Sequence, residues 1–447
     1  MPPARTGVAA YSNEAVAGLR TFHELDVFAD EPSAKAARTD GFAGRIRSAH
    51  DFLWEHRLRP YDLTVFQLGN SSAHDFLWPY LFRFPGLAVL HDVHLQHARA
   101  AALLRARRAD EYRDEFRSNH PGVSPDMAEL ALKGFDTHLY YDWPMTRLVV
   151  EASRVTAVHS RLSAEALRDS SPAAPIEVIR PGHGEPLSPE RGEAGRVRIR
   201  RQHGIPDEAI LFGVFGGLTP EKRVPQVLRA FAALLRYTPG ARLLLAGAPA
   251  SHYDIAGEVQ ALGIHDALTI TGYLERDEEF TDVIAACDVS INMRWPTARE
   301  VSGPWLRALA AGKPTITTDL SHMADVPALD PRTWLVSHAS TSADAVPEPV
   351  TIAIDITDED HSLRLAMRRL AADAELRGRL GRAAAAFWNE RHSIEAMIAD
   401  YNRVIARALT TPIPAASLPG HLRDDGSSKV RSLLEPFGIG PDLWGRI

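Results

Sequence analysis

The 447-residue sequence predicts an α/β protein: two Rossmann-like domains facing each other across a cleft, with C-terminal helices crossing back. Three observations lead there. From residue 207 onward, short apolar runs alternate with amphipathic ones, as the stacked strand and helix units of a parallel sheet require. The first half shows the same alternation less cleanly. The length also exceeds what one hydrophobic core organises, so two domains of roughly 200 residues are the natural division.

The strands expected in the second half are ILFGVF, ARLLLAG, ALTITG, DVSINM and KPTITT. Between the first two, Val224, Val227, Leu228, Phe231, Leu234 and Leu235 recur at helical intervals and give one helix a core face. Pro225 suits its first turn, where the amide has no intrahelical partner, and TPG ends it. In the first half the strands are read from YDLTVFQLGN, GLAVLHD and IEVIRPG, with TRLVVEASRVTAVHS as helix then strand. Residues 1–185 therefore form an acceptor-side domain, 186–205 a linker rich in Pro, Gly and Arg, and 206–358 the second domain. Residues 359–410 read as helices, and 411–447 as a flexible tail by composition. The arginines of the linker, like those near residue 105, are expected on solvated faces.

Composition excludes several classes of function. Fifty basic residues against 57 acidic ones give a formal charge of −7, which offers no overall attraction to nucleic acid or anionic lipid. Cys287, the one cysteine, stands among apolar neighbours as a buried small side chain and permits neither an internal disulfide nor a multi-cysteine metal site. No apolar run nears the roughly 18 residues that span a bilayer. The N-terminal residues lack a secretory pattern, so the expected location is cytoplasmic, with peripheral contact at the inner face of the membrane still compatible.

The chemistry is expected beyond the carboxyl ends of the parallel strands, where glycine turns and helix N-termini offer amides to anions. FGVFGGLTPEKR places Gly216 and Gly217 directly after a strand, with Lys222 near enough to add a point charge. In RWPTAREVSGPWLRALAAGKP, Ser302 and Gly303 precede an apolar helix, so their amides and the helix dipole offer an anion site. Glu300 can accept hydrogen bonds from sugar hydroxyls. The bland reading, Ser302 as a simple cap and Glu300 in solvent, stays open on these residues alone.

Taken in order, PPARTGVAAYS, VFQLGNSSAHDFLW, PGLAVLHDVHLQH, VTAVHS, FGVFGGLTPEKR, LLLAGAP, LTITGYLERDEEF and AACDVSINMRWPTAREVSGPWLRALAAGKPTITTD resemble the family 4 glycosyltransferases of the GT-B fold. These are retaining enzymes that use nucleotide sugars. The resemblance implies a nucleotide diphosphate sugar as donor substrate, no cofactor, no metal, and a glycan or lipid-linked hydroxyl as acceptor. It places Gly7 in a glycine loop facing the donor phosphates, and His91 near the transferring sugar. It assigns Lys222 to the diphosphate, and Glu300, Ser302 and Gly303 to the donor sugar and diphosphate. His91, Glu300 and Lys222 are thus the expected catalytic residues, and Gly7, Gly216, Gly217, Lys222, Ser302, Gly303 and Arg307 the donor-binding ones.

Two positions depart from the pattern. The arginine that many relatives carry six residues before the lysine is replaced in the Gly216-Gly217 turn. Arg307 aligns with a second glutamate that accepts the ribose hydroxyls, yet arginine only donates, which puts ribose recognition in question. His74, His94, His97 and His159 are read as hydrogen-bonded or solvated rather than as metal ligands. Relatives also carry an apolar strand just before the segment matching PPARTGVAAYS, so an upstream strand of about ten residues with its loop is expected. A catalytically weak sugar-nucleotide-binding partner of another transferase is the alternative reading.

Overall fold

The computed structural model describes residues 6–30, 46–135, 139–251, 253–297, 300–320, 323, 325–337, 348–424 and 427–438. The chain divides into two compact units. One comprises residues 1–179 and 401–447 with 298–300, the other 180–297 and 301–400.

The second unit is built on eight strands in the order β13-β12-β14-β11-β10-β7-β8-β9. These are β7 (Leu211–Phe215), β8 (Arg242–Ala246), β9 (Leu268–Ile270), β10 (Val289–Asn292), β11 (Thr315–Thr318), β12 (Ala328–Leu329), β13 (Val336–Ser337) and β14 (Thr351–Ile354). Every pairing is parallel except β12 with β13. All five expected strands form. The central ones are buried along their whole length, as strands covered on both faces must be, and so they read as continuous apolar runs. The helix Val224–Leu235 buries Val224, Val227, Leu228, Phe231 and Leu234 in one cluster with Phe212, Val214, Leu243, Ile291 and Ile316. The two shortest strands, β12 and β13, have two residues each, too few for a periodic pattern to show.

The expected linker is instead a helix of this unit. Pro189–Gln202 begins at Ser188, whose side chain accepts from the Arg191 amide, and Pro189 occupies the first turn. It packs on the helix Asp277–Ala286 so closely that a Cβ on Gly195 would lie 2.8 Å from Asp282 Oδ1. Arg200, expected in solvent, is 0% exposed. Its guanidinium donates to the carbonyls of Pro206, Asp207, Ala209 and Ala286 and to Asp288 Oδ2 at 2.8 Å. A sequence rich in arginine looks solvated, but a buried guanidinium is stable where enough acceptors converge on it.

The first unit contains a parallel four-stranded sheet in the order β3-β4-β5-β6: Val65–Leu68, Leu87–Leu90, Val155–Val158 and Ile176–Val178. Apart from it stands a parallel pair, β1 (Val27–Ala29) with β2 (Ile46–Ser48). Helix α1 (Gly7–Leu19) precedes β1, and helix α2 (Phe52–Leu58) follows β2 after one 3-10 turn. The tail also departs from expectation. Ala416, Leu418 and Leu422 pack against the core of this unit, Thr411 accepts from Arg154 Nε at 2.9 Å, and His421 Nε2 sits 2.9 Å from buried Glu115. Polar composition set the expectation of a free tail, whereas three well-placed apolar side chains are enough to dock residues 411–424.

Candidate functional site

In the second unit, Gly216 follows β7 with φ +87°, a left-handed conformation that glycine adopts without strain. Its amide donates to Ala246 at the end of β8, and a Cβ on Gly247 would stand 2.0 Å from the Gly216 carbonyl. The two strand ends thus meet so closely that position 247 admits only glycine. The chain then turns through the 3-10 segment Pro220–Lys222 and carries the lysine back over the turn. Lys222 Nζ donates to Phe215 O at 2.6 Å and lies 2.3 Å from where a Gly216 Cβ would be. Burial, and then the like charge of Arg294, push its ammonium down to about 7.

Arg294 escaped the sequence reading. It lies two residues beyond β10, where its amide donates to Thr318 Oγ1 at 2.9 Å, and the next amide, Trp295, donates to Glu221 O at 2.7 Å. Those bonds bring the 294–295 backbone beside the Lys222 turn, so two cations share one strand-end region. Its place after a strand was the available signal; the six-residue spacing of relatives pointed elsewhere.

Ser302 and Gly303 open the helix Gly303–Ala310, and Pro304 Cγ lies 3.8 Å from the Gly216 Cβ position, so this terminus adjoins the same turn. Ser302 Oγ accepts from the Trp305 amide at 3.3 Å, and the serine does cap the helix. Pro304 has no N–H and the Trp305 amide is engaged, which leaves Gly303 to present a first-turn amide. Gly303 is tightly placed, because a Cβ would lie 3.1 Å from the His183 ring, which would have to shift to admit it. Gly217 has open space around its Cβ position. The unit therefore brings Gly216, Lys222, Ser302 and Gly303 close to one another, with Gly217 next in the turn.

Arg307 has partners that the sequence did not show. Its Nε donates to His183 Nε2 at 3.0 Å, its Nη2 pairs with Asp277 at 3.1 Å, and its guanidinium lies over the Phe280 ring at 5.5 Å. Its side chain is 10% exposed. Arg307 thus ties the 183–184 loop and the helix Asp277–Ala286 to the helix whose N-terminus forms the cradle. Glu300, two residues before Ser302, is partly buried and groups with the first unit.

In the first unit, Gly7 is not in a loop but is the first residue of α1, capped by Thr6, whose Oγ1 accepts from Ala9 at 3.1 Å. A glycine read as a phosphate loop on motif grounds is here a helix start with nothing within 4 Å of its Cβ position. His91 follows β4 and joins a partly buried relay. Its Nδ1 is 3.1 Å from His159 Nε2, and its Nε2 is 2.8 Å from the Gln67 carboxamide. His159 Nδ1 lies 2.9 Å from Ile179 O, Gln67 reaches Tyr401 Oη at 2.9 Å, and Tyr11 Oη donates to Tyr401 at 3.1 Å. Burial holds both rings neutral, pushing His91 well below its ordinary value and His159 down to about 4.

The proton order follows. Ile179 O only accepts, so His159 carries hydrogen on Nδ1 and its Nε2 accepts from His91 Nδ1. His91 Nε2 is then a lone pair facing the Gln67 amide, placed with Oε1 toward His91 and Nε2 donating to Tyr401 Oη; rotating that amide end for end would give the lone pair an N–H and the Tyr401 hydroxyl an acceptor. Both ring nitrogens of His91 are therefore engaged within this unit. Gln67, His159, Tyr11 and Tyr401 were not singled out as its partners, because bonds over as many as 390 residues of separation leave no spacing signal. Among the described residues no three His, Cys, Asp or Glu side chains cluster to hold a metal ion, and no helix is long and apolar enough to cross a membrane.

Comparison with known proteins agrees with this architecture. Residues 196–385 match the family described as glycosyl transferases group 1, a stretch that holds Lys222, Arg294 and the Ser302-Gly303 turn. The curated D-inositol 3-phosphate glycosyltransferase of Stackebrandtia nassauensis is 28% identical over 292 residues, 60% of this chain and 59% of that one. Its namesake from Saccharomonospora viridis is 27% identical over 49% of this chain and 51% of its own. The matched parts thus span between half and six-tenths of the relatives' length. Among solved structures, Anabaena HepE in complex with UDP and glucose superposes with a TM-score of 0.56 at 14% identity, covering 90% of this chain and 96% of that one. The fold is that of the GT-B glycosyltransferases, as the motif resemblance implied.

Proposed function

We propose that this chain transfers a sugar from a nucleoside diphosphate sugar to a hydroxyl of a glycan or lipid-linked acceptor, with retention of anomeric configuration. The observation that carries the reading is Lys222, whose Nζ lies over the Gly216 turn close to the start of the helix Gly303–Ala310, with the charge of Arg294 felt at the same ammonium. A diphosphate brought to this turn meets positive charge and a helix N-terminus together. In the transfer, the bond from the anomeric carbon to the phosphate oxygen breaks and its electron pair leaves with the diphosphate. The acceptor oxygen bonds that carbon, and its proton passes to the leaving phosphate. Preorganised donors around the departing diphosphate stabilise the charge as it grows. His91, with both nitrogens engaged, acts by shaping the sugar's surroundings rather than by titrating.

The donor needs neither metal nor cofactor in this reading, since the diphosphate charge is met by side chains and amides. The protein works in the cytoplasm, with peripheral contact at the inner face of the membrane when its acceptor is lipid-linked. Nucleic acid has no part. UDP is the first nucleotide to try because HepE was solved with it, and an inositol phosphate belongs in the acceptor panel because of the relatives' names. The alternative, a catalytically weak binding partner of another transferase, draws on Arg307, whose guanidinium is engaged by His183 and Asp277 where a ribose acceptor was expected. Incubation with UDP-, GDP- and ADP-sugars and the acceptor panel separates the two. Nucleotide release supports the transferase, and tight binding without release supports the partner.

A further inference from the structure

We infer that Asp277, held in place by Arg307, accepts the hydrogen bonds of the donor's ribose hydroxyls, so that this pair selects ribonucleotides over their deoxy forms. The assignment rests on the donor reading above and adds to it a residue outside the diphosphate cradle. A nucleoside diphosphate seated at Gly216, Lys222 and Gly303 carries its ribose a single methylene beyond the phosphate. The ribose diol donates protons and needs oxygen to receive them. Arg307 offers donors only, whereas the carboxylate it grips offers acceptors only.

Gly303 and Arg307 stand four residues apart in the helix Gly303–Ala310, hence on one face. The rise between them is about 6 Å, roughly the reach from a phosphate through a methylene to the ribose ring. Helical side chains lean toward the N-terminus, which turns Arg307 back toward the cradle. His183 agrees with that direction: its ring lies 3.1 Å from where a Gly303 Cβ would be, and its Nε2 accepts from Arg307 Nε at 3.0 Å. The guanidinium also lies over Phe280 at 5.5 Å, and the Phe280 ring is 5.6 Å from that of Phe215, whose carbonyl takes the Lys222 ammonium. Arg307 is thus tied to the cradle from the Gly303 side and from the Lys222 side.

The Asp277 side chain is 74% exposed against 10% for Arg307. An exposed ion pair is ordinarily weak because two mobile side chains must be held in one geometry. Here the arginine is already fixed by an imidazole and a ring, so only the short aspartate remains to be ordered. Arg307 Nη2 lies 3.1 Å from Asp277 Oδ1, and a carboxylate with about four lone-pair sites keeps capacity on its solvent side for a vicinal diol. The pairing also removes an obstacle, since a bare carboxylate within about 10 Å of a diphosphate would repel it. Glu278 and Glu279 share the first turn of the same helix, yet among the described residues it is Asp277 that pairs with Arg307.

Titration calorimetry of the parent chain, Asp277→Ala and Glu278→Ala compares UDP, GDP and ADP with their 2′,3′-dideoxy forms. For the nucleotide that binds, the parent should favour the ribose form by about tenfold or more, as hydrogen bonds to a charged group require. Asp277→Ala should bring the ribose form down to the affinity of the dideoxy form and leave the dideoxy form no weaker, so that their ratio falls to near unity. Glu278→Ala should keep the parent's ratio. A ratio near unity in the parent would overturn the assignment. So would equal losses for both forms in Asp277→Ala, the mark of a residue that only props the cradle. If the parent bound none of the three ribonucleotides, the donor reading itself would fall and this assignment with it, a result distinct from binding without discrimination.

Discussion

Lys222 offers the sharpest quantitative prediction. Its ammonium is pushed down to about 7 in the free protein by burial and by Arg294. A bound diphosphate places an anion against both cations, which favours the charged lysine and returns it toward the ordinary value near 10.4. At pH 8 about nine-tenths of the free protein then lacks that proton, so binding UDP takes up nearly one proton per site, on the order of 0.9. Terminal phosphate ionisation, centred near pH 6, is essentially complete by pH 7.5 and leaves the window above it to the lysine. From pH 7.5 to 9 the affinity should therefore fall about twentyfold. Titration calorimetry in buffers of different ionisation enthalpy measures both quantities. Lys222→Arg, which stays charged, should flatten the pH profile and remove the uptake. Proton uptake near zero at pH 8, with a flat affinity profile, would refute the assignment. Linkage also fixes the sign for stability without ligand. The unfolded chain binds this proton up to near pH 10.4 and the folded chain only to about 7, so Lys222 makes the free protein more stable as pH rises between them.

Four further outcomes are expected. Gly216→Ala places a Cβ 2.3 Å from Lys222 Nζ at φ +87°, so UDP affinity should drop at least tenfold while the far-ultraviolet circular dichroism stays unchanged; retained affinity would remove the turn from the site. Arg200→Met removes a wholly buried guanidinium with several backbone acceptors, and urea melts should show a loss of about 3 kcal/mol or more, a change under 1 kcal/mol contradicting its role. Gln67→Glu sets a carboxylate beside His91 Nε2, so nitrogen-15 NMR should show the His91 ring charged at pH values where the parent ring is neutral; an unaltered spectrum would break the relay. Arg307→Ala frees the 183–184 loop from the cradle helix and should weaken UDP binding by roughly 1 to 3 kcal/mol, whereas an unchanged dissociation constant would return the residue to a purely structural role.

The parts of the molecule that the sequence disclosed share one physical cause. Strands β7, β8, β10 and β11 are covered on both faces, so burial wrote itself as unbroken apolar runs, and the helix after β7 carried its core face at helical spacing. Gly216, Lys222 and the Ser302-Gly303 turn were legible because strand ends and helix starts are where a parallel sheet exposes its amides. Arg200 was not, since composition cannot tell a solvated arginine from one enclosed by carbonyls. The helix Pro189–Gln202 was hidden by the same residues that made it look like a linker, although Ser188-Pro189 was a start signal in plain view. The His91 relay and Arg294 depend on residues brought together by tertiary packing, and no local pattern encodes a partner in another strand.

The most direct test of the central claim is to follow the sugar itself. UDP-glucose carrying carbon-13 at the anomeric position is incubated with the protein and the acceptor panel, and the label is traced by NMR, with other nucleotide sugars run in the same way. The account predicts that for one donor and acceptor pair the label appears in a new glycosidic linkage of the donor's own anomeric configuration, with one nucleoside diphosphate released per linkage, and that Lys222→Ala slows this by on the order of a hundredfold. Label that stays in bound, unreacted donor across the whole panel, or a product of inverted configuration, would contradict it.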